Sequence, residues 1–327
     1  LNGARVSGER DVLQRLIAGP VSGDTLARAA GLTRAAMWKR IQSLRAAGVE
    51  IDAQAGRGYA LRHALELLDA EAILGALPAP LRADIAAFDI AWSLDSSNSE
   101  LLRRETPVRG AAVLLAERQT GGRGRRGRAW ASPLAAHLYL SVARRFSGGL
   151  ARLGGLSLVA GLAAAETLRA IGYASVRLKW PNDLTVGGRK LGGLLVEGGG
   201  EHAGPVRAVI GLGLNVRMPS AAGARIDQAW VDLAGLSEPP PSRNALAANL
   251  LTQLLPALDL FDAEGLSPFL ARYAQFDALA GRDIAVHAGE TTLAGTALGI
   301  AADGALRVRI DSREHVFHAG EVSVRSQ

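Results

Sequence analysis

The chain has 327 residues, 48% of them hydrophobic and 21% charged, with a net charge of +6 and no cysteine. Such a composition supplies a globular core for about two domains of ~150 residues and a small third one; it excludes disulfides, thiolate zinc sites and a cysteine nucleophile, and fits a reducing, cytoplasmic setting. The charge is uneven: residues 1–62 hold ten Lys/Arg against five Asp/Glu, leaving a near-neutral remainder, so the head of the chain points to a polyanionic partner.

The first predicted element is an amphipathic, charged helix rather than an apolar leader: "ERDVLQRLIAGP" carries Val12, Leu13, Leu16 and Ile17 on one stripe and stops at Gly19-Pro20. In the next stretch Ser22 or Asp24 caps a short helix through Ala30, and Gly31 supplies a tight turn. Thr33 then caps a longer helix with Met37, Ile41 and Leu44 inward, ending at Gly48. Arg34, Lys39 and Arg40 fall on its outer side, the pattern of a helix-turn-helix. "VEIDAQAGRGYAL" reads as two short strands around a glycine-rich tip, a wing whose Arg57 would reach a phosphate or a minor groove. A three-helix interaction module with a solvated basic face shares the helical pattern; the wing favours DNA. From Leu61 the sequence reads as helical up to Pro78 and Pro80, with the first domain boundary between residues 62 and 68.

Beyond Phe88, short apolar strands alternate with longer helical stretches. "AAVLLAERQ", "HLYLSVARRF" and "SVRLKWPNDL" read as strands, "KLGGLLVEG" and "RAVIGLGLNV" as a buried strand pair. The most apolar long stretch, 153–171, is broken by Glu166 and Arg169, which marks a core helix and not a membrane span. A large mixed sheet with helices on one face is the most economical arrangement, giving an α+β (mixed α/β) class. The tail from Gly281 alternates apolar and polar residues between glycine turns, the pattern of a small SH3-like β-barrel. The expected domains are 1–66, 67–278 and 279–327.

The chemistry concentrates in "GGRGRRGR", residues 121–128, where Gly122, Gly124 and Gly127 spell G-x-G-x-x-G. A dinucleotide-binding turn follows an apolar strand and opens an apolar helix; here arginines interrupt the glycines and "AWASP" follows, so that reading fails. Four like charges on a flexible backbone repel one another. An anion with several oxygens would collect them through guanidinium and backbone N–H groups, making the loop a lid over a phosphate or carboxylate. The bland alternative is a solvated basic turn, against which stand the glycine density and the flanking Trp130. Lys190 lies between two Gly-Gly pairs beside a buried strand, placed to meet a ligand as a point charge, and "KWPND" sets Lys179 and Asp183 around a turn. No P-loop, G-x-S-x-G or H-E-x-x-H pattern is present, and His315 and His318 have no partner at metal-binding spacing.

"DSSN" at 95–98, "GGRGRRGRAWASP" at 121–133, "KWPND" at 179–183 and "GRKLGGLLVE" at 188–197 occur in the order and spacing of biotin–protein ligases. With the helix-turn-helix in front, the chain resembles the bifunctional bacterial form, both ligase and biotin-operon repressor. The resemblance runs from about Ser22 to the end, with Ser97 where the family usually has threonine and Gly121 where alanine is common. It implies a central sheet of the class II synthetase type. It implies ATP and biotin as substrates, Mg2+, a biotin carboxyl carrier protein and operator DNA as partners, and an adenylate-linked homodimer. For biotin it implies Ser96, Ser97, Asn98, Gln119, Arg123, Gly124, Arg125 and Lys190, with Gly193 and Leu195 as an apolar wall. For ATP or the adenylate it implies Arg123, Arg125, Arg126, Arg128, Trp130, Lys179, Asn182, Asp183, Lys190, Asn215 and Trp230. Arg123 and Lys190 are then the catalytic pair, and Asp183 is the magnesium candidate. A lipoate ligase would share the catalytic fold, and a pure regulator would keep the pocket without catalysis; "GRGRRG" with "KWPND" favours biotin, and Arg123 with Lys190 favours catalysis.

Overall fold

A computed structural model describes residues 2–54, 56–147, 149–200, 206–288, 291–319 and 322–326. The head comprises α1 (Asn2–Ile17), α2 (Gly23–Ala29), α3 (Arg34–Ala46), β1 (Ile51–Gln54) and β2 (Gly58–Leu61). Ser22 caps α2 by accepting from Thr25 N, and Thr33 caps α3 by accepting from Ala36 N, satisfying N–H groups a helix start leaves orphaned. Gly31 makes the intervening turn at φ +61°. Leu13, Leu16, Leu26, Met37, Ile41 and Leu44 close the core, and β1 and β2 pair antiparallel as the wing.

The stretch after Leu61 departs from the expected continuous helix. Residues 62–69 are non-helical, and only α4 (Ala70–Gly75) and α5 (Ala79–Ala83) follow. Side chains distant in sequence hold the extended backbone: Glu117 accepts from Leu68 N, and Asn244 accepts from Asp69 N while donating to Leu67 O. A helix would need those backbone groups for itself.

The centre is built from β3 (Ile85–Ala91), α6 (Ser97–Arg103), β4 (Ala111–Ala116), β5 (Leu138–Phe146), α7 (Leu156–Ala170), β6 (Arg177–Lys179), β7 (Asp183–Val186), β8 (Arg189–Gly200), β9 (Val206–Leu214), α8 (Ser220–Gly223), α9 (Arg243–Glu264) and α10 (Ser267–Ala274). Its strands run β3-β4-β5-β9-β8-β7-β6, parallel at β3–β4 and antiparallel elsewhere. The long helices α7 and α9 cover one face, where Leu140, Leu194, Ile210 and Leu212 join the main core. The short α6 lies against the other face through Leu101, beside Leu114, Ala143 and Val209.

The tail is an antiparallel sheet of β10 (Asp283–Ala288), β11 (Thr291–Ile300), β12 (Leu306–Ile310), β13 (Arg313–Phe317) and β14 (Val322–Ser326), ordered β13-β12-β11-β10-β14 among the described residues. Each of these strands pairs antiparallel with its neighbour. Ile284, Val286, Leu306 and Val308 extend the main core into it, and buried Trp180 of the "KWPND" turn donates to Gly304 O at 3.0 Å. No helix among the described residues is long and apolar enough to cross a membrane.

Candidate functional site

Side chains alternate across a strand, so register decides what faces away from α7 and α9. Asp183 pairs with Gly193, Gly193 with Gly213, and Gly213 with Tyr139; one step along, Leu195 pairs with Gly211, and Gly211 with Ser141. Three glycines and a serine therefore floor the face that α6 borders. Neighbouring side chains fill the vacated space. A Cβ at Gly211 would stand 2.3 Å from Asn98 Oδ1, and one at Gly213 would stand 2.6 Å from the Trp130 ring.

At the α6 end the polar groups form one network, buried at Ser97, Asn98, Ser132 and Ser141 and half-buried at Gln119 and Glu197. Gln119 Oε1 accepts from Ser97 N at 2.8 Å and lies 3.1 Å from Ser97 Oγ. Gln119 Nε2 donates to Ser132 Oγ. Ser141 Oγ stands 2.7 Å from both Ser97 Oγ and Asn98 Oδ1, and Asn98 Nδ2 donates to Leu195 O and to Glu197 Oε2, each at 3.0 Å. Arg123 reaches across from the loop to donate to Ser99 Oγ at 2.7 Å and to Glu197 at 3.1 Å. Ser96 serves locally as the cap of α6, its Oγ accepting from Ser99 N. Hydroxyl, amide and carboxamide groups beside a small-residue floor can receive a compact ligand with both donors and acceptors.

The opposite end is charged. Lys190 Nζ stands 2.7 Å from Asp183 Oδ1 and 5.4 Å from the centre of the Trp130 ring. Arg125 donates to Asn182 Oδ1 at 3.5 Å, while Asn182 donates to Leu194 O. Burial, then the like charge of Arg126, lowers the Arg125 pKa, against the pull of Asp183; an anion there would relieve the strain. The loop closes on itself through Gly124 N to Arg128 O, with a single 3-10 turn at Arg125–Gly127 and Arg126 at φ 57°. Arg126 and Arg128 are exposed.

Some expected residues stand back from the floor. Asn215 Nδ2 spans Lys190 O and Val231 O, so it staples the segment through Trp230 to β8. Trp230 is half-buried over Gly223, donating to its carbonyl. Lys179 is half-buried at the end of β6, next to the Trp180 anchor. On the head, Arg34 is held by Asp24, and the Arg40 guanidinium lies over Gly8 of α1, away from exposed Lys39. Arg57 sits at the wing tip, as expected.

Ser141, Ser99, Ser132 and Glu197 are the site residues that sequence reasoning missed. Ser141 had a signal: one polar residue within the fully buried run of β5.

A helix-turn-helix head joined to a mixed sheet, with a glycine floor between a polar and a cationic end, defines a ligase-type core with a DNA-binding module. Three family descriptions match in that order: an HTH domain over residues 9–60, the biotin/lipoate A/B protein ligase family over 93–215, and the biotin protein ligase C terminal domain over 280–325. The bifunctional ligase/repressor BirA of Escherichia coli (strain K12) is 40% identical over 93% of this chain and 93% of its own length. The biotin--[acetyl-CoA-carboxylase] ligase of Mycobacterium tuberculosis is 35% identical over 72% of this chain and 87% of its own. A biotin protein ligase from Aquifex aeolicus, solved with biotin and ATP, shares the fold at a TM-score of 0.62 and 24% identity, over 74% of this chain and 100% of that one. The chain belongs to the biotin protein ligases, in their bifunctional ligase/repressor form.

Proposed function

We propose that this chain is an ATP-dependent biotin–protein ligase and a biotin-responsive repressor. The carboxylate of biotin attacks the α-phosphorus of ATP, pyrophosphate leaves, and biotinyl-5′-AMP remains bound. The amine of a carrier-protein lysine then attacks the acyl carbon, AMP leaves, and an amide forms. The observation that carries the reading is the glycine floor bounded by Ser97, Asn98 and Gln119 at one end and by Lys190, Trp130 and Arg125 at the other. In it the biotin ring takes the polar end, Gly193 and Leu195 flank it, and the reacting carboxylate and phosphate meet at Lys190. There Lys190 exchanges Asp183 for the charge that develops on phosphate, with Trp130 and Trp230 on the nucleotide side. Arg123 exchanges Glu197 for the ligand, and the rest of the 121–128 loop shields the anhydride from water.

Magnesium arriving with ATP would be held mainly by the phosphates, with one or two carboxylates of the protein; Asp183, now 2.7 Å from Lys190 Nζ, is the carboxylate that would turn to it. No cluster of three His, Asp or Glu exists among the described residues, so the protein by itself builds no metal cage.

The head supplies one reading helix, hence one half-site, so operator binding calls for a symmetric dimer. The three units are 1–66, 67–278 and 279–327. The test is biotin-dependent ATP–pyrophosphate exchange by the full chain. Exchange with biotin but not with lipoate, lost by at least about a hundredfold in Lys190→Ala with the fold intact, supports the ligase. Lipoate-only exchange makes it a lipoate ligase, and binding without exchange a regulator. Sedimentation with biotin and ATP reads the dimer.

A further inference from the structure

Trp38 is 54% exposed, the bulkiest apolar side chain standing out from the described surface. It lies on α3, whose buried side is Met37, Ile41 and Leu44; the outward side is Arg34, Ala35, Trp38 and Lys39. Nothing in the fold needs an indole there. A helix facing water alone would carry a short polar or charged residue at this position. Trp38 also forms one wall of a notch of about 510 Å³ between α3 and the wing, together with Met37, Gln54 and Tyr59.

The cations nearby are unequally placed. Asp24 ties up Arg34, and Arg40 lies over α1, while Lys39 and the wing-tip Arg57 are exposed. A surface with cations at its margins and an aromatic at its centre suits a polyanion that presents an apolar group between its phosphates. In the major groove of DNA that group is the thymine C5-methyl, the one apolar mark on a base edge there.

We propose that Trp38 reads thymine in the operator half-site by packing its indole against the C5-methyl, while Lys39 and Arg57 hold the flanking phosphates. The inference rests on the repressor reading. It adds a specificity residue that carries no charge, so its loss leaves the phosphate contacts in place.

The test uses the full chain with biotin and ATP present. A preferred duplex is first selected from a random pool, and each thymine in it is then replaced singly by uracil, which removes only the methyl. One or two positions are expected at which uracil weakens wild-type binding by about five- to tenfold, and at which Trp38→Ala shows no further loss. Trp38→Ala itself should bind the all-thymine duplex about 10- to 50-fold more weakly, with an unchanged slope of affinity against salt, because no counterion-releasing contact is removed. Trp38→Phe should recover part of the loss. An undiminished uracil penalty in Trp38→Ala overturns the proposal, as does wild-type affinity in that variant. A change in self-association alone would make Trp38 a protein contact and also overturn it. If the wild type selects no duplex, the repressor reading falls and this one with it.

Discussion

Gly211→Ala isolates the floor from the rest of the site. Gly211 is outside the left-handed region, so alanine strains no backbone, and its neighbours Ile210 and Leu212 face the opposite core undisturbed. The new Cβ, however, would stand 2.3 Å from Oδ1, 2.9 Å from Cγ and 3.0 Å from Nδ2 of Asn98. Asn98 is 4% exposed and cannot swing into solvent. To make room it must give up bonds to Leu195 O, Ser141 and the Glu197 carboxylate. Those bonds are lost to the free and the bound enzyme alike; what biotin loses is the Asn98 amide it would have met, about 0.5–1.5 kcal/mol for one neutral bond, or about 2- to 12-fold in affinity. The assay is the biotin KM in pyrophosphate exchange, with the ATP KM as internal control. The biotin value should rise by that factor while the ATP value moves little. An unchanged biotin KM, or equal rises in both, would refute the placement of biotin over Gly211.

Trypsin should cut the ligand-free chain after exposed Arg126 and Arg128, and cleavage should slow markedly once biotin and ATP are added; equal rates would remove the lid from the mechanism. Acid sensitivity should trace to His137, whose pKa is lowered to about 3 by complete burial and secondly by Arg243. The unfolded chain takes up that proton near pH 6.5 and the folded chain does not. This contribution to stability is therefore intact above pH 6.5 and lost as pH falls toward 3, at up to ~1.4 kcal/mol per pH unit. Denaturant unfolding across that window should show a shallower slope in His137→Asn, whose carboxamide oxygen can still accept from Val216 N as Nδ1 does now; an unaltered slope would assign the loss to other groups.

Local signals read true where the chain satisfies its own backbone. The caps Ser22 and Thr33, the Gly31 turn and the inward stripe of α3 all follow from spacing and side-chain chemistry over a few residues. Sequence reading failed where a distant residue decides. Residues 62–69 carry an ordinary helical composition, but Glu117 and Asn244 capture their backbone groups. Arg40 has the helical phase of a DNA contact, yet Gly8 of α1 opens a space that its guanidinium occupies. Ser141 and Glu197 join the site only because cross-strand register brings them to Gly211, Asn98 and Arg123. No local pattern encodes that register. The four motifs were legible because each is contiguous; the glycine floor beneath them is a property of paired strands.

The loop that borders the site also holds the head in place. Trp130 lies on Gly213 with its backbone N–H bonded to Gly122 O, and Ser132 binds Gln119 and the Trp130 carbonyl. The next residue, Pro133, is fixed by Tyr139 Oη donating to its carbonyl at 2.9 Å. Pro133 then meets Gly48 so closely that a Cβ there would stand 2.5 Å from the proline ring, and Leu134 N donates to Ala47 O at 2.8 Å. Ala47 and Gly48 terminate the reading helix, and Leu134 and Ala135 are buried in the same core as Met37, Ile41 and Leu44. Six residues thus run from the ring beside Lys190 into the hydrophobic core of the DNA-binding head. Buried contacts of this kind are close-packed and resist independent motion at their two ends. Glycine at 48, at φ +103°, is what lets the end of α3 lie so near the site.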